Sequence, residues 1–225
     1  MMKLRAENVG RMYFRSSKNT NFFYAVESLD LELEEGKITV ITGRSGSGKT
    51  TLINMLCGLL TPSCGRVLLD DKDLYASGDR ERSLLRNRSF GIIPQGQTGL
   101  QCLTAAENVL LPVSMYGSSK GKEDKARILL EKLGIDDLWD VYSNELSGGE
   151  LRRMSVARAL INDPGIIIAD EPTGDLDADT TVLVMELLKE RARNGAAVLI
   201  VTHDKDVMPY ADTVYTMEKG VLKKA

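Results

Sequence analysis

An α/β fold built on a mostly parallel sheet is what this sequence predicts. Three observations carry the prediction. Short apolar runs, rich in β-branched residues, recur at 37–42, 165–169 and 198–201. Segments with apolar residues at helical spacing stand between them. The chain has 225 residues, 43% apolar and 27% charged, the size of one domain that buries roughly 70% of its unfolded surface. Short strands alternating with helices make βαβ units, and strands joined that way run parallel.

The elements follow in chain order. Val26, Leu29, Leu31 and Leu33 mostly alternate with polar residues, as in a half-buried strand. The polar stretch Arg15–Asn21, between strand-like patterns, reads as a loop. The run Lys37–Thr42 is apolar and stops at Gly43. Arg66–Asp70, closed by a second aspartate, reads as a hairpin arm. Glu123–Leu133 sets Ala126, Leu129, Leu130 and Leu133 on one helical face, and Leu151, Met154, Ala157 and Ile161 repeat the pattern after Gly148-Gly149. Asp177–Asn194 reads as a helix stopped by Gly195. The helical middle, about 96–160, interrupts the βαβ alternation and is expected to be a lobe inserted in a single domain spanning 1–225.

Composition excludes several classes. A net charge of −3 from mixed signs argues against a nucleic-acid binder. No apolar segment of about 20 residues exists to span a membrane. Lys3 and Arg5 stand where a signal peptide needs its apolar stretch, so a cytoplasmic location is expected. Cys57, Cys64 and Cys102 have no zinc spacing and are an odd number, and are expected to be reduced, buried small hydrophobes.

The chemistry starts at Gly43-Arg-Ser-Gly-Ser-Gly-Lys-Thr50, between an apolar strand and the helical run opening at Thr51. Glycines let successive N–H groups point at phosphate oxygens, and the helix adds its positive end. Gly43, Arg44, Ser45, Gly46, Ser47, Gly48, Lys49, Thr50 and Thr51 thus form a candidate phosphate cradle. Lys49 supplies a cation for the β- and γ-phosphates, and the Thr50 hydroxyl can ligate Mg²⁺. The strand 166–169 ends in Asp170-Glu171. Asp170 is placed to hold the Mg²⁺ through water, and Glu171 to deprotonate an attacking water. Leu146-Ser147-Gly148-Gly149-Glu150 opens the next helix, with Ser147 as its cap.

With Leu-Ser-Gly-Gly in that position, the whole chain resembles the ATP-binding subunits of ABC transporters. The resemblance implies a P-loop NTPase fold: a RecA-like core with a mostly parallel sheet, an antiparallel β subdomain and an inserted helical subdomain. It implies ATP and Mg²⁺ as ligands. Gln95 matches the glutamine that bridges the metal and the membrane partner. His203, the single histidine, matches the switch residue at the γ-phosphate. Tyr13 matches the aromatic that stacks on adenine, with Phe14, Phe22, Phe23 and Tyr24 as alternatives. Gly174-Asp-Leu-Asp177 matches the loop joining two nucleotide sites. ATP is then held between two chains, a homodimer or paralogous heterodimer, with Ser147, Gly148, Gly149 and Glu150 of one facing the phosphate loop of the other. The implied partner is an integral membrane permease, which would hold the chain on the inner face of the cell membrane.

Two positions depart from the family pattern. Glu150 stands where glutamine is commoner, adding charge near the opposite nucleotide. Arg44 stands where proline is common, its side chain expected to face outward. The segment Leu103–Pro112 is similar to ATPases of lipoprotein-release, macrolide-export, antimicrobial-peptide-export and cell-division systems. The implied function is export or extraction of a peptide, lipoprotein or hydrophobic drug. A signalling switch acting through a permease and the ATPase of a small-molecule importer are the alternatives. With Ala225 closing the sequence soon after His203, the regulatory domain of several importers is not expected.

Overall fold

A computed structural model describes residues 2–14, 22–96, 98–117 and 121–225. The Arg15–Asn21 stretch lies outside them.

Two sheets form the frame. The first is antiparallel, ordered β2-β1-β4-β5, from β1 (Leu4–Phe14), β2 (Phe22–Leu33), β4 (Cys64–Leu69) and β5 (Lys72–Asp73). Asp70 and Asp71, at φ +50° and +63°, make the two-residue turn between β4 and β5, a shape aspartate tolerates. The expected hairpin arm is β4. On β2, Val26, Leu29, Leu31 and Leu33 are buried as their alternation requires.

The second sheet is ordered β10-β9-β3-β8-β7-β6. Its strands are β3 (Ile38–Thr42), β6 (Phe90–Ile93), β7 (Ile166–Asp170), β8 (Ala197–Val201), β9 (Thr213–Glu218) and β10 (Val221–Lys224). All pairings are parallel except the terminal hairpin β9–β10. Strands β7 and β8 are buried throughout because both faces of this sheet are covered. Alternate residues go opposite ways. Val40, Ile167, Val198 and Ile200 pack with helices α5 (Gly148–Leu160) and α6 (Ala178–Arg193). Ile41, Ile168, Leu199 and Val201 pack with α1 (Lys49–Leu56) and the antiparallel sheet.

Helices α3 (Ala105–Ser114), α4 (Glu123–Lys132) and α5 fall between 105 and 160, joined by two 3₁₀ turns. An eleven-residue helix, α2 (Asp79–Ser89), stands before β6 and has no counterpart among the sequence expectations. It carries few apolar residues, so no helical stripe marks it. The cysteine expectation is corrected. Only Cys57 is buried, its thiol pushed up to about 12 by burial, while Cys64 and Cys102 are exposed. Their strand-edge and loop positions leave them uncovered.

Candidate functional site: a phosphate cradle facing two carboxylates

The cradle forms where β3 gives way to α1. Gly48 sits at φ +108°, and a side chain there would run into the carbonyl oxygen of Ala25, so glycine is required to turn the chain into the helix. No side chain caps α1, and its first turn holds no acid. Its leading N–H groups therefore face outward as an anion site. The Lys49 ammonium donates to the carbonyls of Gly43 (2.8 Å) and Arg44 (3.0 Å), so the loop wraps its own lysine. The Arg44 side chain is exposed.

Across the cavity, β7 delivers Asp170 and Glu171. Asp170 is 4% exposed and accepts a 2.9 Å hydrogen bond from the Thr50 hydroxyl. Burial pushes its carboxyl above the ordinary carboxylate range, and the Thr50 bond opposes that push. Glu171 sits at φ +52°, a conformation costly for a side chain as long as glutamate's. Both its oxygens are engaged: Oε2 accepts from the Thr202 hydroxyl (2.8 Å), and Oε1 meets His203 Nδ1 (2.7 Å). The hydrogen bond and charge of Glu171 raise the His203 imidazole above its usual value. Thr202 is held in turn. Its hydroxyl accepts from the Asp204 N–H (2.9 Å), and Asp204 accepts from the Thr173 hydroxyl (2.8 Å).

Asp170, Glu171 and His203 line one cavity of about 760 Å³, together with Gln95 and the loop residues 43–46 and 48–51. Tyr13, Phe23 and Tyr24 also line it. The Tyr13 and Phe23 rings stack with centroids 5.8 Å apart, and the Arg11 guanidinium lies 4.8 Å from the Tyr13 centroid. Of the alternatives to Tyr13, Phe23 and Tyr24 reach this cavity, while Phe14 and Phe22 do not line it. Ser47 does not line it either; its hydroxyl is buried inside the loop without a partner.

Five expected ligand residues lie elsewhere. Ser147, Gly148, Gly149, Glu150 and Asp177 take no part in this cavity. Ser147 and Glu150 form a capping box on α5: the Glu150 carboxylate accepts from the Ser147 N–H (2.7 Å), and the Ser147 hydroxyl from the Glu150 N–H (3.4 Å). The Ser147 hydrogen bonds hold the Glu150 carboxyl below its usual value. The carboxylate is therefore folded back on its own helix rather than projecting freely. Asp177 caps α6 through the N–H (2.8 Å) and hydroxyl (2.9 Å) of Thr180.

Thr202, Thr173 and Asp204 escaped the sequence reading. Thr202 and Asp204 follow the buried strand β8 in a polar step where only the histidine stands out, and Thr173 lies just past the carboxylates that end β7.

The family model described as "ABC transporter" matches residues 26–174. The chain belongs to that family. It is 40% identical over 225 residues to the lipoprotein-releasing system ATP-binding protein LolD of Pseudomonas syringae, covering 99% of this chain and 97% of that one. It is 37% identical to the macrolide export ATP-binding/permease protein MacB of Campylobacter fetus, covering 96% of this chain but 34% of that longer protein. Among solved structures, the dimeric bacterial ABC transporter cassette MJ0796 superposes with a TM-score of 0.90 at 32% identity, covering 98% of each chain. A post-hydrolysis form of that cassette, bound to ADP and Pi, gives 0.89. This cassette is thus an ABC transporter ATP-binding subunit and an ATPase. Among its described residues, no helix is long and apolar enough to cross a membrane.

The residues present fit ATP and Mg²⁺. Asp170 is a buried carboxylate whose charge wants compensation, with the Thr50 hydroxyl beside it. A hard cation with oxygen ligands suits that pair.

Proposed function

We propose that this ABC cassette hydrolyses ATP in a head-to-tail dimer and drives a membrane permease that exports or extracts a peptide, lipoprotein or hydrophobic drug. One observation supports the dimer above all. The phosphate cradle, Gln95, Asp170, Glu171 and His203 share a cavity from which Ser147–Glu150 are absent. A single chain therefore holds two half-sites on different surfaces, and a second copy supplies the missing half. The dimeric form of the similar cassette supports the same arrangement. The export subgroup rests on the LolD and MacB relatives and on Leu103–Pro112.

Each residue then has a task. The first N–H groups of α1, the Gly43–Gly48 backbone and Lys49 bind the phosphates, and Tyr13 takes the adenine face. Thr50, Asp170 and Gln95 would hold Mg²⁺, which supplies charge neutralisation at the phosphates when bound. Glu171 takes a proton from the attacking water once His203 turns toward the γ-phosphate and leaves Oε1. Asp177 and Ser147–Glu150 complete the partner's site. The helices between 96 and 160 and the loop after Gln95 form the lobe that meets the permease, placing the cassette on the inner face of the cell membrane.

Glu171→Gln tests this reading. It is expected to lower turnover about 10²-fold or more. An ATP-bound dimer should accumulate in size-exclusion chromatography with light scattering. A variant that turns over like the native protein would remove Glu171 from its role.

A further inference from the structure

The signature helix α5 carries a buried cation that the hydrolysis scheme leaves unused. Arg152, in the second turn after Ser147, is 5% exposed. Its Nη1 donates to the carbonyl of Pro94 at 2.8 Å. Pro94 directly precedes Gln95 at the end of β6. Its Nη2 lies beside Gly174, close to where a Cβ on that glycine would stand. Asp175, Asp170 and Glu171 all act on the guanidinium through space, while burial works against its charge. One side chain of the signature helix therefore touches or faces two segments remote in sequence: the Gln95 loop and the turn that carries the two carboxylates.

The alternatives on that helix do less. Arg158 holds the far side of the Gln95 loop, donating to the Thr98 carbonyl (2.7 Å) and hydroxyl (2.7 Å), but no carboxylate acts on it. Arg152 faces both the loop and the acidic turn. An isolated buried guanidinium is costly; here the Pro94 carbonyl accepts from it and the carboxylates of the turn act on it through space. Cutting that tie frees the Gln95 loop from the carboxylate turn without touching the phosphate cradle.

From this geometry we infer that Arg152 is a positioning residue for hydrolysis, its guanidinium locking Gln95 and the Asp170–Asp175 turn into register with the signature helix. The inference rests on the ATPase reading above. It acts on the alignment of groups around the reacting phosphate, so it belongs to turnover rather than to nucleotide capture. Misplacing such groups by about 1 Å costs on the order of 10²-fold in rate.

The test compares Arg152→Met and Arg152→Lys with the native cassette. Each is read by kcat and KM for ATP, by ADP affinity from calorimetry, and by melting temperature. Arg152→Met keeps the chain's length and loses charge and hydrogen bonds. It is expected to lose about 10- to 100-fold in kcat while ADP affinity stays at the native level. Arg152→Lys keeps the charge and one donor and should recover most of that loss. Native kcat in Arg152→Met overturns the inference. So does a parallel loss of ADP affinity and turnover, which marks a general packing role. If Arg152→Met does not fold, Arg152→Lys decides: a folded lysine variant with native ADP affinity and near-native kcat supports the positioning role, and one that loses affinity with turnover overturns it. A native cassette that neither binds nor hydrolyses ATP would instead sink the ATPase reading, so the two failures are told apart.

Discussion

Two helices of this cassette begin with glycine-bearing motifs, and they treat their first turns oppositely. α1 starts after Gly48 with no side-chain cap and no acid among its own first-turn residues, leaving its N–H groups available. α5 starts after Ser147 and closes its own N-terminus, with Glu150 folded back onto the cap. A helix N-terminus carries roughly half a positive charge, which an anion or a carboxylate can meet. α1 leaves that charge for a phosphate, whereas α5 spends part of it on Glu150. The contrast shows why a Gly-rich helix start does not by itself make a phosphate site: the cap decides whether the amides remain available.

The largest effect that would sharpen this contrast is on the α1 side. Lys49→Ala removes a charged donor from the cradle and is expected to weaken ADP binding by about 10- to 100-fold, measured by calorimetry. Ser147→Ala, on the α5 side, should leave ADP affinity of the single chain unchanged, because Ser147 lies outside that cavity. A drop in ADP affinity in Ser147→Ala would break the division into two surfaces.

A smaller effect belongs to stability. Losing the Ser147 cap should cost about 1 kcal/mol. In a domain of this size that lowers Tm by about 2–4 °C, read by calorimetry. An unchanged Tm would mean that the capping box contributes nothing to the fold.

The smallest effect is a titration. His203 is the only histidine, so one imidazole resonance reports the site by NMR. Its midpoint should lie above 6.5, because Glu171 favours the charged ring through a hydrogen bond and its charge. The pair's contribution is then fully present below the ordinary histidine value and lost as pH rises through the elevated midpoint. Glu171→Gln should bring the midpoint down toward the ordinary value. A midpoint unmoved by that substitution would show that the 2.7 Å contact does not persist in solution.

Local signals made much of this molecule legible. The strands β3, β7 and β8 stood out because burial on both faces demands unbroken apolar runs. The phosphate loop was visible because its function lies in backbone shape, which consecutive glycines announce. α2 was not visible, since its sequence is mostly charged and holds no apolar stripe. Thr202, Thr173 and Asp204 were missed because a hydroxyl that orients a carboxylate looks like any surface hydroxyl until its partner is known. The sequence marks Glu150 as a charge on the signature motif, and only the fold shows that its carboxylate bends back onto Ser147.

By itself the sequence determined the family, the parallel core and the residues of the candidate phosphate cradle, because periodicity and short motifs are properties of neighbouring residues. Only the tertiary structure decided which distant groups meet. Tyr13, Lys49, Asp170 and His203 come from β1, α1, β7 and the turn after β8, yet they surround one cavity. Arg152 became more than one arginine among many when burial set it against Pro94 and the acidic turn. Such meetings depend on chain segments packed together across long loops, and pairwise contact of that kind leaves no mark on local composition.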